Sequence, residues 1–182
     1  MTSRPADIAH RREPTSVIAL LGGERVLGAT VKTRLDLARA TRDGLPAQAA
    51  TPPIGIFADV FVDFYMDEKP FWYSVSPNNS MFGPIAMVWR SIMLDPETPS
   101  SAFGKRLTPS DSDLVVRVAT VLARAIDVLH REKDFRETAA VCWLTQPNAT
   151  LGGQIPMTML DTFAGTREVE AALERIESGI SS

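Results

Sequence analysis

The sequence contains one cysteine, Cys142, and two histidines, His10 and His130, among its 182 residues. A single thiol cannot form an internal disulfide, and it cannot supply several ligands to a metal ion. The sequence therefore gives no indication of the oxidising compartments in which disulfides persist. Beside Trp143 in a helical pattern, Cys142 is expected to be a small buried apolar side chain.

Long apolar runs are also missing from the chain. No stretch approaches the roughly 18 apolar residues that a membrane span needs, and the start, MTSRPADIAHRREP, lacks the apolar centre of a signal peptide. With 45% hydrophobic and 23% charged residues, the chain can bury a core. We expect a cytoplasmic protein of one or two domains that does not enter a membrane.

The local motifs of enzymes are absent as well, since there is no nucleophile elbow and no cluster at metal-ligand spacing. Gly23 and Gly28 have the separation of a phosphate loop, but Ala29 stands at the lysine position and no buried strand precedes them. His130 suits the negative end of a predicted helix. We expect no catalytic residue, no metal and no cofactor, while a site assembled from distant residues is an alternative that local motifs do not address.

The net charge of −3 is unevenly distributed along the chain. Residues 1–50 carry eight Lys/Arg against five Asp/Glu, a balance of +3, whereas residues 107–182 carry seven against eleven, a balance of −4. A basic end favours DNA and an acidic end disfavours it, although such small differences also occur on ordinary solvated surfaces.

Helical patterns dominate what is present in the first fifty residues. Residues 1–14 are polar and without apolar periodicity, which predicts a flexible tail. Thr15 or Ser16 can cap a short helix from Val17 to Leu21 that Gly22-Gly23 would end. A second helix is predicted from Thr33 to Asp43, with Leu35 and Leu37 among its apolar residues and a Gly44-Leu45-Pro46 turn after it.

Residues 52–83 are rich in aromatic side chains and follow a pair of prolines. An apolar stripe at helical spacing predicts an amphipathic helix; its members are Ile54, Phe57, Ala58, Phe61, Phe64 and Tyr65. Aromatic clusters can stack nucleic-acid bases, but without interleaved Lys or Arg the stripe is expected to belong to the core.

Residues 84–106 have the pattern of a helix-turn-helix, with a turn at Leu94-Asp95-Pro96 and a short second helix. In that second helix, serines would face phosphates or base edges and basic residues would neutralise phosphates. The residues expected to contact DNA are Ser100, Ser101, Lys105 and Arg106. The alternative is an irregular surface loop without DNA contact, because Gly104 weakens the helix and Asp95 repels phosphate.

The clearest helix begins at Thr108-Pro109, where a cap, a first-turn proline and the carboxylate of Asp111 coincide. One apolar face then follows, formed by Leu114, Val115, Val118, Val121, Leu122, Ala125, Ile126 and Leu129. Asp113, Arg117, Arg124, Asp127 and Arg131 are expected on the opposite, solvated face. This pattern predicts a central core helix.

Two further helices are predicted near the end of the chain. One runs from Asp134 to Leu144 and partly buries Phe135, Ala139, Cys142 and Trp143. The last runs from Thr166 to Ser178, with Thr166 as its cap, Val169, Ala172, Leu173 and Ile176 inward and Gly179 as its stop.

The connection between these helices, Trp143 to Gly165, is called the corner segment below. Pro147 interrupts the preceding helix, Gly152 and Gly153 can take positive φ angles, and Pro156 suits the first turn of a helix. Asn148 is expected to bond backbone groups in the turn, together with Thr150. The chain must reverse here, and a rigid corner without a partner is the simplest interpretation of any one residue.

The ordered pattern of the corner segment closely resembles the C-terminal toxin-binding domain of Xre/ParS/MbcA-like antitoxins of RES-type toxin–antitoxin systems. The matching residues are Trp143-Leu144, Pro147-Asn148, Leu151-Gly152-Gly153, Pro156, Leu160, Gly165 and Val169. The resemblance is strong over Leu107–Ile180, looser over Ser16–Pro46 and weak over Pro52–Ala102.

The resemblance implies an antitoxin that binds a RES-domain, NAD-using toxin, occludes its active site and represses its own operon as a homodimer on operator DNA. It implies a toxin-binding set of Trp143, Asn148, Leu151, Gly152, Gly153, Pro156, Gly179, Ile180, Ser181 and Ser182. The last four would lie nearest the NAD cleft, where small polar groups suit a site that holds an anionic pyrophosphate. A frayed end is the alternative there.

The fold class expected is mainly α, with an N-terminal helical region carrying a degenerate Xre-like helix-turn-helix and a C-terminal helical toxin-binding domain. The predicted divisions are a tail at 1–14, the N-terminal region at 15–106 and the C-terminal domain at 107–182. The alternative function is a plain Xre-like transcriptional regulator or dimerisation module without a toxin. A simple regulator does not need the whole pattern of the corner segment.

Overall fold

The structure, a computed structural model, describes residues 14–50, 52–53, 56, 106–129 and 136–179. Within these ranges the regular structure is helical, and extended pairing is confined to two isolated bridges, Pro46 with Arg106 and Asn148 with Gln154. The mainly α fold predicted from the sequence is confirmed.

Six α-helices and three short 3-10 turns are described. The helices are α1 Val17–Leu20, α2 Gly23–Leu27, α3 Arg34–Arg42, α4 Pro109–Val128, α5 Arg136–Thr145 and α6 Phe163–Glu177. The 3-10 turns are Ala47–Ala50, Ala149–Leu151 and Pro156–Met159. Long helix α4 packs against α1, α3, α5 and α6, so it forms the centre of the described fold.

The start of the chain contains one helix more than the sequence predicted. Helix α1 begins as expected, with the Ser16 hydroxyl accepting from Ala19 N at 3.4 Å. Gly22, with a φ of 90°, ends α1, but the chain then continues directly into α2. A Cβ at Gly22 would lie 2.4 Å from Cγ2 of Val26 in α2, so the Val26 side chain leaves no room for a side chain at position 22. Paired glycines indicate the end of a helix, so the sequence pattern did not predict a second helix beginning at Gly23.

Helix α3 follows the prediction closely at its start. The Thr33 hydroxyl accepts from Asp36 N at 3.2 Å, and the Asp36 carboxylate accepts from Thr33 N at 3.0 Å, which is a capping box. Leu37 is buried, whereas Leu35 is 61% exposed. Residues two apart lie about 200° apart around a helix, so α3 cannot bury both.

Helix α4 confirms the predicted central core helix. Thr108 caps it by accepting from Asp111 N at 3.1 Å, and Pro109 occupies the first turn. Asp127 departs from the prediction, because it is half-buried and not on a purely solvated face. Its carboxylate accepts from Thr15 N at 3.0 and 3.1 Å and from the Thr15 hydroxyl at 2.6 Å. Asp127 therefore attaches the segment before α1 to α4.

The Gly44-Leu45-Pro46 turn joins the first helices to α4. Leu45 N donates to the buried Ser112 hydroxyl at 2.8 Å, and Leu107 N donates to Leu45 O at 2.8 Å. A Cβ at Gly44 would lie 2.3 Å from Leu107 O, so the turn requires glycine for proximity as well as for its φ of 82°. These bonds cross the domain boundary predicted between residues 106 and 107. That boundary stays a prediction.

Residues from both sides of that division contribute to one hydrophobic core. Its N-terminal members include Leu21, Val31, Leu37 and Leu45. Its later members include Val118, Val121, Leu122, Val141, Leu144, Met157, Leu160, Val169 and Leu173. The early helices and the last two helices therefore pack on α4 within one core.

The described part of α5, from Arg136, buries a face that the sequence did not single out. The buried residues are Ala140, Val141, Leu144 and Thr145. Ala139, Cys142 and Trp143 are half-buried, in agreement with the partial burial expected for them.

Helix α6 begins earlier than predicted. Thr162 is its cap and accepts from Gly165 N at 3.0 Å, so the prediction that Thr166 caps this helix is wrong. Thr166 is buried inside the helix, where its hydroxyl donates to Thr162 O at 2.8 Å. Val169 and Leu173 are buried as expected, together with Ala172. The expected stop is confirmed, since Ser178 is the C-cap and Gly179 has a φ of 71°.

Several predictions concern residues outside the described ranges. They include the tail 1–13, most of the aromatic segment 52–83 and nearly all of the predicted helix-turn-helix 84–106. Ser100, Ser101 and Lys105 fall there, as do His130, Arg131, Phe135, Ile180, Ser181 and Ser182. In the part of the chain that the structure describes, no helix is both long and apolar enough to cross a membrane.

Candidate functional site: the corner segment between the last two helices

The corner segment begins with a short turn built on Asn148. Helix α5 ends at Thr145, two residues before Pro147, as the proline predicts. The Asn148 side-chain oxygen accepts from Thr150 N at 2.9 Å and from the Thr150 hydroxyl at 2.7 Å, so it caps the 3-10 turn Ala149–Leu151. The predicted bonding role of Asn148 in the turn is confirmed.

Gly152 and Gly153 then reverse the chain with φ angles of 67° and 80°. Gly153 N donates to Asn148 O at 2.8 Å, and Asn148 N donates to Gln154 O at 3.0 Å, which closes the loop. Both glycines are exposed, and no atom lies within 4 Å of the position that a Cβ would take on either. The glycines are therefore needed for backbone conformation, and the space outside them is open to a partner.

Buried apolar residues on both sides of the Gly152-Gly153 loop pack into the core. Leu151 is 8% exposed, and Pro156 and Met157 are buried at the start of the second 3-10 turn. Leu151 and Pro156, both predicted to bind the toxin, thus support the loop from beneath. Trp143, which lies before the loop near the end of α5, is half-buried.

Arg117 of α4 holds the end of the corner segment. Its Nη1 donates to Leu160 O at 3.0 Å and to Asp161 O at 3.3 Å, while Nη2 pairs with the Asp113 carboxylate. The sequence places Arg117 on the solvated face of α4, and the spacing of four residues to Asp113 indicates only a local ion pair. The contact between Arg117 and Leu160 O spans 43 residues of sequence, so no local pattern predicts it.

The corner segment meets α6 at a very close backbone approach. A Cβ at Gly165 would lie 2.1 Å from Met159 O, so this position accepts only glycine without a shift of the backbone. Between the Thr162 cap and Gly165, the side chain of Phe163 is 74% exposed. Sequence analysis missed Phe163 because it expected the helix to begin after it.

The far end of α6 carries the other part of the predicted toxin-binding set. Glu177 pairs with Arg124 of α4, and Gly179 follows as the exposed stop of the helix. Helix α6 contains 15 residues, a length of about 22 Å. The structure thus does not place Gly179 beside Phe163, because the corner segment leads into one end of α6 and Gly179 leaves the other.

Arg106 is the one predicted DNA-contacting residue within the described ranges. Its Nε donates to Gly44 O at 2.9 Å and to Asp43 O at 3.3 Å, at the C-terminal end of α3. A cation is favoured at that end of a helix. Arg106 therefore has a role in the fold that the sequence did not indicate, and its contact with phosphate stays a prediction.

Local hydrogen bonds at the start of α3 affect the ionisation of Asp36. The Thr33 hydroxyl, followed by the Thr33 and Lys32 backbone amides, holds the pKa of Asp36 below its ordinary value of 3.8. Over the ranges that the structure describes, no group of three or more His, Cys, Asp or Glu side chains is placed to hold a metal ion.

Comparison with known proteins agrees with the position of this site. Residues 123–179 match the family described as "Antitoxin Xre/MbcA/ParS C-terminal toxin-binding domain". The chain is also 27% identical over 139 residues to "Antitoxin Xre" of Yersinia enterocolitica serotype O:8 / biotype 1B (strain NCTC 13174 / 8081), an alignment that covers 76% of this chain and 87% of that protein. No solved structure matches the chain.

The family match contains the corner segment and α6, and it begins within α4. The resemblance inferred from the ordered residues of the corner segment is therefore confirmed for the antitoxin family. Over residues 123–179 the chain is similar to the toxin-binding domain of Xre/MbcA/ParS antitoxins, and this similarity, together with that to Antitoxin Xre, supports an antitoxin role in a toxin–antitoxin system.

Proposed function

We propose that this antitoxin acts in the cytoplasm, where it binds and inhibits a RES-domain toxin that consumes NAD. The observation that carries the proposal is the corner segment, whose ordered residues resemble those of RES-toxin antitoxins. Its loop at Gly152-Gly153 is open to a partner and is supported by Leu151 and Pro156. An exposed loop on a rigid base is the kind of surface that binds without a large ordering cost.

Inhibition is proposed to occur by occlusion of the toxin's active site. Residues Gly179, Ile180, Ser181 and Ser182 are assigned to the NAD cleft, and the Asn148–Pro156 part of the corner segment to a second contact. The ion pair of Glu177 with Arg124 joins the last turn of α6 to α4, so the tail departs from a supported position. Small hydroxyl groups suit a pocket that binds an anionic pyrophosphate.

Autorepression is the third part of the proposal. The chain would bind operator DNA as a homodimer through the segment that includes Ser100, Ser101, Lys105 and Arg106. The basic balance of residues 1–50 favours DNA contact by the N-terminal part of the chain. The acidic balance of residues 107–182 favours protein contact by the C-terminal part.

The test of inhibition uses a RES-domain toxin, with NAD loss and complex formation measured together. Full-length antitoxin should suppress NAD loss at equimolar ratio. Deletion of residues 180–182 should leave the complex intact while NAD consumption resumes, because the tail occludes the cleft without providing most of the contact area. A substitution of Leu35, outside the matched domain, is the control and should inhibit fully.

Two results contradict parts of the proposal. Full inhibition by the truncated chain would move the inhibitory contact to the Asn148–Pro156 loop. Absence of both complex and inhibition with the full-length chain would show that the partner is not a RES-domain toxin.

A further inference from the structure

Phe163, the first residue of α6, is 74% exposed, although most large apolar side chains of the described ranges are covered. Leu35 is the other large apolar side chain with high exposure there, at 61%. Single exposed apolar side chains are common on protein surfaces, so exposure alone does not indicate a contact. The backbone around Leu35 is held by a local capping box, whereas the backbone around Phe163 is also held by contacts from other parts of the fold.

Three contacts hold the backbone on both sides of Phe163. Before it, Arg117 Nη1 donates to the two carbonyl oxygens of residues 160–161, at 3.0 and 3.3 Å. Across it, the Thr162 hydroxyl accepts from Gly165 N at 3.0 Å. After it, Gly165 lies so close to the preceding 3-10 turn that a Cβ would meet a carbonyl oxygen at 2.1 Å. A ring presented from such a backbone loses little conformational entropy when it is bound.

The neighbours of Phe163 provide a polar surrounding for the ring. Arg167 is exposed and follows four residues later, a spacing that places it on the same face of α6. Asp161, also exposed, precedes the helix. A central aromatic side chain with charged residues around it has the composition of an interface hot spot with its rim.

We propose that Phe163 is the aromatic anchor of the antitoxin–toxin interface and that it enters an apolar pocket on the toxin. This proposal rests on the proposed function. The toxin is the occupant favoured over a second copy of the chain for two reasons. Phe163 lies within residues 123–179, which match the toxin-binding domain, and it is part of the corner segment at the start of α6. Leu35 lies outside that domain.

The test compares Phe163→Ala with its matched control Leu35→Ala in the full-length chain. Each variant removes one exposed apolar side chain, and the affinity for the RES-domain toxin is measured by binding kinetics. Phe163→Ala should weaken binding by about thirtyfold or more, mainly through faster dissociation. Leu35→Ala should bind like the wild type, and both variants should keep the wild-type thermal midpoint.

Arg117 supplies a second variant, because it positions the residues before the anchor. Arg117→Gln removes the donation to the carbonyls of residues 160–161, whereas Asp113→Asn removes only the carboxylate partner of Arg117. Arg117→Gln should weaken toxin binding and Asp113→Asn should not. In the Phe163→Ala background, Arg117→Gln should cause little additional loss, since positioning matters only while the anchor is present.

Three outcomes would overturn the proposal. Unchanged toxin affinity for Phe163→Ala would show that the ring is outside the interface. A lower thermal midpoint for that variant would show that the chain itself covers the ring. A change confined to self-association, measured by sedimentation, would assign the ring to a second copy. If the wild-type chain does not bind the toxin at all, the proposed function fails, and this is evident before any substitution is made.

Discussion

Two glycines of the corner segment are required for different physical reasons. Gly153 has a φ of 80° and open space where a side chain would stand, so its replacement by alanine is opposed only by backbone conformation. Gly165 lies within α6 and has no positive φ, but a Cβ there would lie 2.1 Å from Met159 O. The need for glycine is local at position 153 and tertiary at position 165.

Alanine at these two positions should therefore have distinct effects on stability. Alanine normally stabilises a helix by about 1 kcal/mol relative to glycine. At position 165 we expect the opposite, a loss of about 1–3 kcal/mol, because the backbone must shift. Gly153→Ala should lose roughly 1 kcal/mol from the left-handed conformation. The free energy of unfolding in urea measures both, and an increase for Gly165→Ala would contradict the close approach seen here.

At the scale of the element, helix ends follow local hydrogen bonding, and α3 is the clearest case. The Thr33 hydroxyl and backbone amides stabilise the charged form of Asp36 and hold its pKa below 3.8. A group with a lowered folded-state pKa contributes stability that is present above the unfolded value and is lost as the pH falls through the folded value. The capping box of α3 is therefore sensitive to acid.

Asp36→Asn tests this dependence. The wild type should be more stable than the variant at neutral pH, and the difference in unfolding free energy should shrink as the pH falls below 3.8. In a Thr33→Val background the pH dependence of that difference should be smaller, because the main cause of the pKa shift is removed. A difference that stays constant down to pH about 2 would show that the carboxylate charge is not involved.

At the scale of the whole molecule, α4 is packed against both the early helices and the last two helices. Ser112 and Asp127 of α4 bind Leu45 N and Thr15 across at least 67 residues of sequence. The matched region at 123–179 is thus part of a larger core, while its corner segment packs against α4 and α6. Removing the N-terminal region should affect stability more than toxin contact.

A fragment starting at Leu107 should unfold at a lower denaturant concentration than one starting at residue 14, because it exposes the part of α4 against which α1 and α3 pack. At a temperature where circular dichroism shows it folded, the fragment should still bind toxin and should no longer bind operator DNA. The fragment from residue 14 is the control and should bind both. A folded short fragment without toxin affinity would place part of the toxin surface before residue 107.

The sequence by itself determined the helix starts at Thr33 and Thr108 and the loop at Asn148–Gly153. These depend on hydrogen bonds and φ angles within a few residues, and such interactions leave a local pattern. Local patterns also gave two wrong predictions. Gly22-Gly23 indicated the end of a helix, so α2 was not predicted, and Thr166 was predicted as the cap of α6 in place of Thr162.

Only the tertiary structure decided the roles of Arg117, Asp127, Gly165 and Phe163. Arg117 and Asp127 bond groups 43 and 112 residues away, so their spacing to nearby charges predicted solvated positions instead. Gly165 belongs to the ordered pattern of the corner segment, but its physical reason, a close approach between backbones, is seen only in the tertiary structure. The exposure of Phe163 depends on where α6 begins and what α6 packs against, and both are properties of the assembled core.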